Sequence, residues 1–135
     1  FFFQAEDGIR HRSPSRGLGD VYKRQYWNHP CTIWTRKSKG NYQWLYDHFL
    51  ALGDEYTYRY GKTHASVKKL SKPLHFCPEN IKRCMNMTPV AQAMPDEYKD
   101  DDPIKAYRNY CINEKHYAKW ERGRNKPKWW GKVEK

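Results

Sequence analysis

Two stretches of the chain set cations beside flat rings. One is Tyr58-Arg59-Tyr60-Gly61-Lys62-Thr63-His64, and the other is Lys126-Pro127-Lys128-Trp129-Trp130-Gly131-Lys132. In the first, a glycine releases the backbone between an arginine and a lysine, an arrangement suited to phosphate oxygens. In the second, bases could stack on indole faces while the lysines neutralise phosphates. Each stretch has a plainer reading. Arg59 and Lys62 can simply complement the carbonyl end of their own helix, and the tryptophans can dock a tail on the core. Arg36 and Arg108 lie on other segments and would complete a phosphate-tracking face if the fold gathers them. The expected nucleic-acid contacts are therefore Arg36, Arg59, Lys62, His64, Arg108, Trp129 and Trp130.

Nothing in the local spacing points to catalysis. There is no glycine-rich phosphate loop, no H-E-x-x-H and no nucleophile elbow. The acidic run Asp96, Glu97, Asp100, Asp101, Asp102 reads as a helix start and a solvated charge cluster. Cys31, Cys77, Cys84 and Cys111 stand 46, 7 and 27 apart, with no C-x-x-C pair. His29 and Cys31 could share a metal with Cys77 and Cys84, but four ordinary buried thiols in a reducing cell explain the spacing more simply. Neither a metal nor a cofactor is expected.

The elements that must position these residues are helices. Asn28-His29-Pro30 offers a cap and a first-turn proline for a short helix carrying Ile33 and Trp34 and ending in Arg36, Lys37 and Lys39. From Asn41, the residues Leu45, Phe49, Leu52 and Tyr56 recur at steps of four, three and four, and Gly61 stands where the helix would stop. A shorter amphipathic turn spans Ala65 to Lys72 and is closed by Pro73. Residues 73–95 carry Pro73, Pro78, Pro89 and Pro95 and show no period, so they predict a long irregular segment that is functional or wrapped along the core. Asp102-Pro103 begins a second strong helix, whose stripe Tyr107, Tyr110, Cys111, Glu114, Tyr117 and Ala118 predicts helix as far as Gly123. The expected fold is a small all-α domain. Its main core would be Leu45, Phe49, Leu52, Tyr56, Tyr107, Tyr110, Cys111 and Trp120, between the two strong helices.

Residues 1–25, FFFQAEDGIRHRSPSRGLGDVYKRQ, show no apolar period and are similar to translated sequencing adapter. They are expected to lack regular structure and to stand apart from a helical domain at 26–122 and a basic aromatic tail at 123–135. On that reading the domain is the C-terminal part of a larger protein. The chain has 26 Lys+Arg against 15 Asp+Glu. Residues 1–25 hold five of the cations and three of the carboxylates, which leaves 21 against 12, or +9, on the other 110 residues. That balance, with 16% aromatics, points to a polyanion-binding domain. No apolar run approaches the ~18 residues of a membrane span.

Asn28-His29-Pro30, Trp34, Leu45-Tyr46-Asp47-His48, Tyr58 to Ser66, Met94-Pro95-Asp96-Glu97-Tyr98, Ala106-Tyr107-Arg108-Asn109-Tyr110 and Ala118-Lys119-Trp120 together resemble an uncharacterised phage protein family. The resemblance covers nearly all of 26–130. That family in turn looks like a distant relative of the pyrimidine-dimer DNA glycosylases with abasic-site lyase activity, of the endonuclease V type. It implies a compact helical enzyme in which an amino-terminal α-amine forms a Schiff base at a damaged nucleotide and a carboxylate of the first helix assists. Both groups belong to the amino-terminal third, where this chain has adapter-like sequence, so no catalytic residue is carried over. The expectation is a fragment of a phage-type DNA-repair protein that binds duplex DNA without catalysis, in the cytoplasm of an infected bacterium. The alternative is a non-enzymatic phage nucleic-acid-binding protein, because fold does not fix function.

Overall fold

The computed structural model describes residues 26–131, and the expectation for residues 1–25 lies outside them. Among the described residues there are four α-helices and no strand, so the fold is all-α. Helix α1 spans Pro30–Lys37, with proline in its first turn and Arg36 and Lys37 in its last. Its cap is His29, whose Nδ1 accepts the Cys31 amide at 3.2 Å. Ser38 is extended (φ −154°, ψ 158°) and separates α1 from α2, Lys39–Tyr60. The Ser38 hydroxyl caps α2 by accepting from Asn41 N at 3.1 Å. At the other end Gly61 adopts φ +67° and donates its amide to the Thr57 carbonyl, the left-handed stop that glycine makes without a Cβ penalty. Helix α3, Ala65–Leu70, is capped by His64, and α4, Pro103–Glu114, by Asp102 after a 3-10 turn at Asp96–Tyr98.

The main core differs from the expected one. No Cα of α2 lies within 8 Å of a Cα of α4, so Leu45, Phe49, Leu52 and Tyr56 do not face Tyr107, Tyr110, Cys111 and Trp120 across a helix pair. All eight are only half-buried. Two other elements take the space. The far half of α2 packs on α3, where Gly53 admits the Val67 side chain so closely that a Cβ at Gly53 would lie 2.6 Å from Val67 Cγ2. The near end of α2 is occupied by the irregular segment after residue 80. Lys39 N donates to Lys82 O at 2.9 Å and Gly40 N to Cys84 O at 3.1 Å, and the Ser38 hydroxyl bonds Asn86 O at 3.0 Å.

At the centre of this junction stands Asn41, with no exposed surface. Its Nδ2 donates to Trp34 O at 2.7 Å and to Thr88 Oγ1 at 2.9 Å, while its Oδ1 accepts Thr88 N at 3.0 Å. Trp34 completes the clasp by donating Nε1 to Thr88 O at 3.1 Å. The irregular segment thus supplies backbone groups that a helix would have kept for itself. Helix α4 meets the same segment from another side, with the Tyr107 hydroxyl donating to Ala91 O at 2.6 Å. Among the described residues, the buried apolar ones are Trp34, Tyr42, Ile81 and Ala106.

Helix α4 also ends earlier than its sequence stripe predicts, at Glu114 rather than near Gly123. Tyr117, the next residue of the stripe, is 70% exposed and meets Lys115, whose Nζ lies 5.7 Å from its ring centroid. Beyond it the backbone is claimed from outside, because Lys119 O accepts from Arg59 and Arg122 O from Tyr58. Those bonds require a path that leaves the helix axis. Among the described residues no helix is long and apolar enough to cross a membrane.

Candidate nucleic-acid interface

The last turn of α2 and the chain after α4 build one basic cluster. Glu55 and Arg59, one turn apart, pair through Oε1 and Nε at 2.8 Å, and Arg124 Nη2 reaches Glu55 Oε2 at 2.9 Å. The hydrogen bond from Arg59, aided by Arg124, holds the Glu55 carboxyl below the usual carboxylate range. Tyr58 donates to Arg122 O, Arg122 Nη1 reaches back to Tyr58 O at 3.5 Å, and the Arg124 guanidinium lies 4.0 Å from the Tyr58 ring centroid. The chain makes this approach by turning at Arg122 (φ +53°) and Gly123 (φ +80°), two successive left-handed residues. A non-glycine residue there is strained, and the two bonds to Tyr58 hold it.

Arg59 Nη1 also donates to Lys119 O at 3.1 Å, which ties the cluster to a second one built on tryptophan. Trp120 and Trp130 meet edge-on with centroids 4.8 Å apart, Trp129 lies 5.5 Å from Trp130, and the Arg108 guanidinium sits 5.5 Å from the Trp129 ring. The tail therefore folds back on α4. Trp129 and Trp130 are half-buried and spend ring surface on each other and on Trp120, which fits docking better than open stacking platforms.

Of the seven sequence-predicted residues, Arg59, Arg108, Trp129 and Trp130 come together here, and Lys62 is exposed just beyond the end of α2. Arg36 stands in a separate pair: its guanidinium lies 3.8 Å over the Trp27 ring and donates to Trp27 O at 2.7 Å. His64 is 6% exposed, and its Nδ1 accepts the Ser66 amide at 3.1 Å while its ring meets Tyr56 edge-on at 4.8 Å. It is spoken for as a cap. The residues that sequence reasoning passed over as contacts are Arg122 and Arg124, whose signal was the charge alternation after Trp120, while Tyr58 stood at the head of the first cation–ring stretch without a role of its own.

The acidic run resolves into local partners. Asp102 caps α4 by accepting Ile104 N at 2.9 Å, and Asp100 pairs with Lys105 at 3.1 Å. Cys31, Cys77, Cys84 and Cys111 are half-buried thiols, rather than fully buried ones, and none is in a disulfide. Burial pushes the Cys31 and Cys111 thiols upward, away from nucleophilic thiolate. Among the described residues no three His, Cys, Asp or Glu converge to hold a metal ion. No family profile, curated protein or solved structure matches the chain. The site's own chemistry is that of a surface dense in guanidinium and ammonium groups, held in place by rings.

Proposed function

We propose that the protein binds duplex DNA by its sugar–phosphate backbone, through the face formed by the end of α2 and residues 119–128. The observation that carries this reading is the meeting of Arg59, Arg122 and Arg124 around Tyr58 and Glu55, from segments more than 60 residues apart in the chain. Lys62, Lys119, Lys126 and Lys128 are carried on the same two segments, and a chain of +11 formal charge draws a polyanion from a distance. Guanidinium and ammonium groups neutralise phosphates without reading bases, so this binding is sequence-tolerant. The proposal concerns binding. The Schiff-base chemistry that the family resemblance implies is carried over to no residue of this chain, and a role in phage DNA repair in the bacterial cytoplasm is the setting in which such binding is useful.

The test is a salt titration of binding to a labelled duplex by the wild-type chain and by variants. Log affinity should fall linearly with log salt, and Lys62→Ala or Arg122→Ala should flatten the slope by about one unit each, equally on unrelated sequences. Glu55→Gln should act in the opposite direction. It releases Arg59 and Arg124 from their carboxylate and should tighten binding by roughly two- to tenfold at low salt, the scale of one surface charge interaction. Binding that is absent, or indifferent to salt, overturns the reading and favours a small-molecule ligand.

A further inference from the structure

The turn after α3 holds an aromatic ring out in water. Phe76 is 78% exposed, the highest value among the large hydrophobic residues described. A phenylalanine is normally buried, and on a loose loop it would fold back onto the nearest apolar surface. Here the loop is tied down. The Tyr42 hydroxyl donates to Leu74 O at 2.7 Å and the Tyr46 hydroxyl to Ser71 O at 2.7 Å, both from the early turns of α2. The rings then support one another in series: Tyr46 meets His75 edge-on at 5.8 Å, and His75 meets Phe76 edge-on at 4.9 Å. Tyr46, Ser71, Lys72, His75 and Phe76 line an open cavity of about 420 Å³.

The segment that forms most of this cavity is basic in sequence, the nearest carboxylates along the chain being Asp47 beside Tyr46 and Glu79 after Pro78. Lys72 is in its wall, Lys68 and Lys69 lie in the last turn of α3, and no carboxylate occurs anywhere from Gly61 to Pro78. A protein partner is a poor fit, because Phe76 is the one exposed large hydrophobic residue in the cavity lining, against the ~800 Å² per partner of a stable interface. A flat heterocycle flanked by negative charge fits both features, stacking on the ring while its charge meets the lysines. We propose that this cavity takes one unpaired base of single-stranded DNA, stacked on Phe76, with a neighbouring phosphate on Lys72. The site rests on the nucleic-acid reading above but uses a different surface and different chemistry from the duplex face.

The two are separated by measuring labelled oligothymidylate and a labelled duplex of equal length side by side, with the full chain. Phe76→Ala removes an exposed ring, so the fold is retained, and circular dichroism checks this. It should weaken oligothymidylate binding by about five- to hundredfold, the loss of one stacked base, while leaving duplex affinity and its salt slope unchanged. Phe76→Trp should restore the single-strand affinity. If Phe76→Ala binds oligothymidylate as well as wild type while the duplex is still bound, the cavity proposal fails and the duplex reading stands. Equal losses on both ligands, or a Phe76-dependent self-association in sedimentation with oligonucleotide binding intact, also overturn it. A wild-type chain that binds neither ligand at low salt overturns both.

Discussion

Asn41 has no exposed surface, yet its side chain is an amide with two donors and an acceptor, all of them satisfied by Trp34 and Thr88. Satisfied buried amides fix a unique arrangement, whereas an orphaned partner costs its full desolvation. Asn41→Ala strips the Thr88 amide and the Trp34 carbonyl of their partner at once, so urea denaturation should show a loss of about 3 kcal/mol or more. An Asn41→Ala midpoint close to wild type would mean that water takes over the site. Glu55 makes the contrasting case, since its carboxyl is partly exposed. Its pKa is lowered in the fold, chiefly by the hydrogen bond from Arg59, so its contribution is in place above the unfolded value and disappears as pH falls through the folded one. The stability gap between wild type and Glu55→Gln should therefore be present at pH 7 and close as pH drops below the ordinary value of 4.5. Melts of both proteins between pH 7 and pH 3 check this.

Among the elements, glycines report where two segments come closest. A Cβ at Gly40 would lie 2.2 Å from Met85 O, a backbone atom that cannot rotate away, whereas a Cβ at Gly53 meets the tip of the Val67 side chain. Gly40→Ala should cost about 2 to 4 kcal/mol because the irregular segment must be lifted off α2. Gly53→Ala should cost much less, because a shift of Val67 is offset by the ~1 kcal/mol that alanine gains over glycine within a helix. Equal losses in chemical denaturation would show that α2 and the irregular segment are not packed as described. Helix α2 was legible in the sequence because its stripe and Gly61 are local signals, and the start of α4 because Asp102-Pro103 is one. The end of α4 was not legible, since it is decided by Arg59 and Tyr58, some 60 residues away. Nor was the core: period alone pairs the two best stripes, and no period marks Thr88 as the partner of Asn41. Of the candidate site, the cations at the end of α2 and the tail were visible as composition. Their meeting was not.

As a whole molecule, the protein couples a small apolar core to a large positive charge. The buried apolar residues among those described are Trp34, Tyr42, Ile81 and Ala106, and the formal charge is +11. Like charges on one small body repel, and added salt screens that repulsion within a Debye length of ~8 to 10 Å. Salt should therefore act in opposite directions on the free and bound protein. Raising NaCl from low to moderate concentration should raise the Tm of the free chain by a few degrees, whereas the extra stabilisation given by duplex DNA should shrink, since it follows from affinity. Thermal melts with and without duplex at several salt concentrations read both trends. A free-chain Tm that falls with salt would show that ion pairs such as those of Glu55 outweigh the net repulsion.

The clasp between Asn41 and Thr88 also sets a timetable for biosynthesis. The two residues are 47 apart, so at ~5 to 20 residues per second a ribosome delivers Thr88 several seconds after Asn41. Until then α1 and the start of α2 emerge with their central amide still in water and with Trp34 uncovered. The amino-terminal helices cannot finish folding first and serve as a template for the remainder of the chain; they must wait for a segment that has no regular structure of its own. A nascent chain stalled before residue 88 has left the exit tunnel should accordingly remain sensitive to protease throughout α1 and α2, and one stalled well beyond α4 should become resistant in a single step.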